Sequence, residues 1–248
     1  MHYADRQRSA HDGRFTIGAP TIRSGIVSSS QLIQVIPLHI RRIARRGIGR
    51  LVRAGWRLGS DLAAIGPDSK AAARFGAFGQ GSIVAFPHGA IYGERYIQIG
   101  TDVLISPYVT LTVGMVVGQT METDPVIRIG DGCVIGKGTS VVGHFAIDIG
   151  DQVYTGMDVY ITDQNHTYQD LDRPIGVQDP KDESVKIGSG TWIGSGAVIL
   201  PGSTVGRNVV VAANAVVRGE IPDHCVVAGV PARVVRRHDP IHGWEQRG

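Results

Sequence analysis

The chain has 248 residues, 42% hydrophobic and 19% charged, with 34 Gly but only 5 Phe and 3 Trp; it holds enough apolar matter for one large core or two small ones, which excludes disorder as the main state. No run approaches the roughly 18 uninterrupted apolar residues of a membrane span, and residues 1–30 lack the apolar run of a secretory signal, so a cytoplasmic protein is expected. The net charge of +3 hides an uneven split: up to Arg57 there are 11 Arg against Asp5 and Asp12, an arm of +9 on a body of −6.

The arm is taken as residues 1–70. From Leu32 to Leu58, the positions Ile40, Ile43, Ala44, Ile48, Leu51 and Val52 oppose Arg41, Arg42, Arg45, Arg46, Arg50 and Arg53 at helical spacing, which predicts a basic amphipathic helix. Gly47, Gly49 and Gly55 weaken it by about 1 kcal/mol each, so it needs a surface to fold against. Two are on offer: the open end of the repeat body described next, slightly favoured because that end must be covered, and an anionic lipid surface. Nucleic acid is set aside, because the arm lacks interleaved aromatics.

The body, 71–237, is aliphatic-rich, Gly-rich and poor in aromatics, the composition of a repeat. Phe78-Gly79 and Val84 suggest a start near residue 76, and Ile99-Gly100, Ile105-Ser106 and Leu111-Thr112 step by six. An excursion over 112–126, with Met115, Met121 and Glu122, interrupts the frame. Twelve hexads then begin at 129, 135, 141, 149, 155, 161, 187, 193, 199, 205, 211 and 217, and eleven open with Ile or Val, Thr155 being the exception. Ile147 and Asp148 are two extra residues, and 167–186 is a second excursion. Seven second positions are Gly. No helix has a period of six. A short strand and a turn per hexad explain it: the first residue points inward, and three faces close an 18-residue triangular coil that stacks at roughly 4.8 Å. Residues 238–248 are a tail. Cys133 and Cys225 read as small buried hydrophobes.

The hexads from Ile129 to Pro222 resemble the hexapeptide-repeat acyltransferases, and among them most the maltose, galactoside and xenobiotic O-acetyltransferase group. The marks are Asn165-His166 ending a coil, the loop after it, IGSGTWIGSGAVILPGSTVG over 187–206, and AGVPARVVR over 228–236. The resemblance implies an all-β fold, a left-handed parallel β-helix with the basic arm before it, usually assembled as a homotrimer. It implies acetyl-CoA as acyl donor and no metal. By the same resemblance His166 is the catalytic base, the amide of Ser195 beside Gly194 steadies the oxyanion, Trp192 shapes the site and Ala213 lines the pantetheine groove. Arg233 and Arg236 match arginines near the nucleotide end of coenzyme A. Two positions depart from the pattern. Arg218-Gly219 stands where galactoside-type members carry a cofactor-contacting Thr-Lys pair, and Gly136 and His144 stand where the sugar is touched, so a different acceptor is expected.

The residues themselves agree with that chemistry. Acyl transfer from a thioester to a hydroxyl requires a base for the hydroxyl proton, and a neutral imidazole suits it. The developing oxyanion needs a preorganised donor, a role open to the Ser195 N–H after its Gly turn. His144 could bind the acceptor, orient His166 or face water, and Asp163 could orient the His166 imidazole or bond its own backbone. Arginine pairs well with phosphate. The excursion 167–186, longer than connecting loops usually are, is expected to wall the acceptor pocket. The expected function is therefore transfer of an acyl group from acetyl-CoA to a hydroxyl of a sugar, glycolipid or similar small acceptor, with peripheral membrane contact through the arm left open. Two other classes share the fold: a non-catalytic scaffold, and a zinc hydratase of the carbonic anhydrase kind, which needs three converging histidines. His88, His144 and His166 lack the closely spaced pair such a site uses.

Overall fold

A computed structural model describes residues 38–246, with side chains from 45 onward. Helix α1 spans Leu38–Ala63, five residues beyond the predicted end; positions 32–37 of the predicted helix, and the side chains of Ile40, Ile43 and Ala44, lie outside the described residues. By packing, the chain divides into Met1–Val52 and Arg53–Gly248.

In the larger unit the open end of the first coil is covered by the chain directly after α1. Ile65 pairs antiparallel with Val84, and the turn at Ala72–Arg74 tucks Ala72 and Phe75 inward. Phe75 meets Phe78 edge-on at 5.5 Å. For the part of the helix in this unit, residues 53–63, the expectation that it serves as the cap is corrected: Ile65, Ala72 and Phe75 do the covering, because a single coil presents an opening that a short turn can fill.

The strands form sheets of seven, nine and six strands, parallel except for the last two strands of the nine, and these are the faces of a triangular prism. Paired positions follow the sequence period. Ile187 pairs with Val205, Ile193 with Val211 and Ile199 with Val217, each eighteen residues on. The extra Ile147-Asp148 is absorbed without slippage, Ile149 pairing with Ile129. Hexad-opening residues fill the interior, with Ile129, Ile135, Val141, Ile149, Ile161, Ile193 and Ile199 all buried, each contributing about 1.5–3 kcal/mol. Thr155 belongs to the same column. Its hydroxyl accepts the Gly136 N–H at 2.7 Å and lies 3.3 Å from the Thr139 hydroxyl, so its burial leaves no polar group unsatisfied.

Two hexad positions bend the chain. The second is Gly because the coils approach too closely for a side chain; a Cβ on Gly194 would stand 2.5 Å from the Ala213 nitrogen. The fourth takes left-handed backbone, occupied by Gly138, Gly190 and Gly196 and also by Asp158, Asn208 and Asn214, residue types that tolerate it.

The outward rows of the three faces differ. The seven-stranded face shows Gln98, Arg128, Asp148, Lys186 and Glu220. The nine-stranded face shows Leu104, Val134, Tyr154, Trp192 and Val210, and the six-stranded face Ser140, Tyr160, Val198 and Val216. After the last coil the chain reverses. Arg233–Asp239 runs antiparallel to Cys225–Ala228, and Gly243–Gln246 pairs with it in turn, so the boundary expected at 237/238 falls inside a strand.

Candidate active site

Only the start of the hexad 161–166 stays on the prism. Ile161 and Thr162 remain in the six-stranded face. Gln164–His166 leaves it and pairs antiparallel with Pro180–Asp182, so the second excursion is a hairpin rather than an unstructured loop. His166 ends the outgoing strand and is exposed. Its ring has no polar partner among the described residues, and its N–H bonds the Asn165 side chain at 3.0 Å. A hollow of about 280 Å³ beside it is lined by Val142, Tyr160, Thr162, Gln164, Leu200 and Pro201.

Asp163 does not reach that ring. Its carboxylate is buried and accepts three backbone N–H groups, from His144 at 2.8 Å, Phe145 at 2.9 Å and Ala146 at 2.7 Å. Burial pushes its carboxyl above the ordinary value, the three amides pull against that shift, and the charge of Asp182 adds to it. The orienting role for Asp163 is thus corrected: both oxygens are already committed to fixing the turn that carries His144.

His144 is half-buried, and it does not face water as one reading had it. Its Nδ1 lies 2.7 Å from Asp182 Oδ2, and its Nε2 lies 3.5 Å from Gln119 Nε2. The Gln119 Oε1 already accepts the Met115 N–H at 2.7 Å, which turns the amide NH₂ toward the ring. Nε2 is then the acceptor, and Nδ1–H donates to Asp182. No bond joins His144 to His166 among the described residues. His144 instead borders a second hollow, of about 220 Å³, with Gln119, Met121, Glu122, Phe145 and Asp182, where the two excursions meet. Asp182 and Gln119 escaped the sequence reading because each lies in an excursion, where the six-residue frame says nothing about neighbours.

Ser195 occupies the turn before the strand Val198–Ile199. At these turns an N–H is usually taken by the side chain one coil on: Asp131 N–H by Asp151, Asp151 N–H by Ser189, Met157 N–H by the Ser195 hydroxyl. The ladder stops at Ser195. The residue stacked above it is Ala213, which has no side-chain oxygen, so among the described residues the Ser195 N–H donates to nothing. Leu200 and Pro201, beside His166, follow the same strand. His166 and the Ser195 amide therefore stand at opposite edges of the six-stranded face of one protomer.

Trp192 projects from the nine-stranded face between Tyr154 and Val210, and both aromatics are exposed. They border an open groove of about 580 Å³ with Gln152, Gly190 and Asn208, which includes none of the expected catalytic residues. Gly194 and Ala213 share the Ser195 edge. Arg218 lies past Val217, at the His166 edge, and Arg233 and Arg236 lie on the terminal ribbon. All three arginines are exposed, and among the described residues none forms an ion pair. The described residues contain no group of three His, Cys, Asp or Glu placed to hold a metal ion.

Three stacked parallel faces, eighteen residues to a turn, form a parallel β-helix, and the hexapeptide-repeat matches make it the left-handed kind. Two repeat models match its coils, "Bacterial transferase hexapeptide (six repeats)" at 184–219 and "Hexapeptide repeat of succinyl-transferase" at 126–163. The matched coils carry hexapeptide repeats, and the relatives this chain resembles are named acetyltransferases. It is 40% identical over 168 residues to a probable acetyltransferase, Rv3034c, of Mycobacterium tuberculosis, covering 65% of this chain and 55% of that one. It is 37% identical to the putative lipopolysaccharide biosynthesis O-acetyl transferase WbbJ of Escherichia coli over 101 residues, 38% of this chain and 52% of that one. Against the galactoside O-acetyltransferase of the same organism it is 30% identical over 143 residues, 58% and 64% of the two chains. The chain thus spans roughly half to three-fifths of these relatives. Among solved structures, an AntD N-acyltransferase variant from Bacillus cereus, in complex with dTDP and coenzyme A, superposes with a TM-score of 0.58 at 20% identity over 70% of this chain and 91% of that one, a likeness of fold.

Proposed function

We propose that this protein is a coenzyme A-dependent O-acyltransferase that moves an acetyl group from acetyl-CoA to a hydroxyl of a sugar, glycolipid or similar small acceptor. The relatives named for galactoside and lipopolysaccharide O-acetylation support the sugar hydroxyl. In this reading His166 removes the hydroxyl proton as the oxygen attacks the thioester carbonyl. The Ser195 N–H receives the negative charge that gathers on the carbonyl oxygen. The C–S bond then breaks, and the imidazolium returns its proton to the departing thiolate. Arg218, Arg233 and Arg236, unpaired among the described residues, suit the phosphates of coenzyme A, while Trp192, Gly194 and Ala213 border the path of its arm. His144 faces the acceptor.

The observation that carries the proposal is the unspent Ser195 N–H beneath Ala213, a donor that no bond competes for among the described residues. Because base and donor occupy opposite edges of one face, the reading requires a homotrimer in which the edge of one protomer completes the site of the next. In this reading the protein works in the cytoplasm, with its basic helix available for peripheral contact with a membrane. The test is coenzyme A release over a panel of sugar and lipid-linked acceptors. His166→Ala is expected to lower kcat by roughly 100-fold or more with folding intact; undiminished turnover would remove the base. Absence of thermal stabilisation by acetyl-CoA would favour a non-catalytic scaffold.

A further inference from the structure

Among the described residues, the stripe of apolar side chains along α1 is left exposed. Ile48, Leu51, Leu58 and Leu62 recur with Gly55 at alternating steps of three and four, which places them on one face. They are 61%, 74%, 61% and 78% exposed. A Cβ added at Gly47, Gly55 or Gly59 would meet nothing within 4 Å, so these stretches of the helix are unpacked. The covering of the first coil, where the stripe might have been used, is done by Ile65, Ala72 and Phe75. Across the helix from the stripe, Arg46, Arg50, Arg53 and Arg57 form a second row at the same spacing, with Arg45 on the flank, against the single acid Asp61 over residues 45–63. Trp56, on the flank between them, reaches the Phe86 ring at 6.3 Å.

The geometry points to α1 as an interfacial helix that lies in the plane of an anionic bilayer. Ile48, Leu51, Leu58 and Leu62 enter the acyl boundary, and the arginine row sits at the lipid phosphates. A helix with an aliphatic stripe on one side and a guanidinium row on the other is complementary to that surface in both polarity and charge. The helix is not long and apolar enough to cross a membrane, which leaves the in-plane arrangement. A second copy of the helix would bring two arginine rows together. A nucleic acid would satisfy the arginines and leave the aliphatic stripe in water. The inference deepens the peripheral contact proposed above and does not depend on acyl transfer.

The test is flotation of the full-length protein with vesicles of phosphatidylcholine containing about 30 mol% phosphatidylglycerol, against pure phosphatidylcholine vesicles. The protein is expected to float with the anionic vesicles and to stay behind with the neutral ones. A double substitution, Leu51→Glu with Leu58→Glu, falls on exposed positions and should abolish flotation with helicity retained by circular dichroism. Replacing Arg46, Arg50, Arg53 and Arg57 by Gln should weaken partitioning at least about 100-fold at low salt, given roughly fivefold per charge. Acetyl-CoA-induced thermal stabilisation, measured on the same samples, reports separately on the acyltransferase reading. Failure of the wild type to float overturns the proposal. So does flotation of the Leu51→Glu, Leu58→Glu protein at wild-type level, or a vesicle-free oligomer that the same substitutions dissolve.

Discussion

Asp163 shows how a single carboxylate can be decisive without touching the chemistry. With two oxygens serving three amides, Asp163→Asn must turn an NH₂ group toward at least one N–H. The expected cost is about 1–3 kcal/mol in chemical denaturation, from buried donors left unpaired. The pH dependence has a definite sign. Burial raises the carboxyl of the native state, so over the window between the ordinary carboxylate value and the raised one the folded protein holds a proton that the unfolded chain has released. The contribution of this group to stability therefore falls as pH rises through that window, and the Asn variant should lack that slope. None of this was legible beforehand. The bonds join residues seventeen to nineteen apart, and the frame read 161–166 as an ordinary hexad, whereas the chain leaves the prism after Asp163. His144 is the parallel case: its place near the excursions could be read from spacing, but its bond to Asp182 spans 38 residues, one of them inside a hairpin that carries no periodic signal.

At the scale of the turn, the eighteen-residue period is itself predictive. Ser195 and Ala213 were singled out separately, yet their stacking is what leaves the amide free, and Ala213→Ser should close the ladder by offering a hydroxyl to the Ser195 N–H. The expected result is a fall in kcat of about 10- to 100-fold with no loss of thermal stability, since the donor is diverted rather than removed. A variant with unchanged kcat would show that the amide is not used. The second-position glycines were legible as a pattern, and their cause is the approach of the next coil. The fourth position was not, because Gly, Asp, Asn and Gln share it, and what unites them is a backbone angle rather than a side-chain type. The strand-and-coil register was legible almost to the residue, since every hexad opener but Thr155 is an aliphatic residue that fills the column. The cap was not, because Ile65, Ala72 and Phe75 occur once and follow no period.

The three faces divide the labour of the whole molecule. A row of Gln, Arg, Asp, Lys and Glu on the seven-stranded face belongs in water, whereas Leu104, Tyr154 and Trp192 on the nine-stranded face form the kind of exposed apolar strip that marks an interface. A homotrimer that joins the nine-stranded face to the six-stranded face of a neighbour closes with threefold symmetry and brings the two edges of the proposed site together. Light scattering should give a mass of three chains, and Tyr154→Glu should yield monomers that retain the β-helix signature in circular dichroism but have lost turnover; an active monomer would rule out a shared site.

A pile of identical rungs has no natural length, and each end offers unpaired amides on which another molecule can continue the pile. This chain sets its own height: Ile65 crosses Val84 in the opposite sense at one end, and at the other the strand doubles back through Arg233, Arg236 and Arg237 into a charged hem. Trimming the protein after Ala228 would strip away that hem and turn a finite column into a seed for end-to-end fibres.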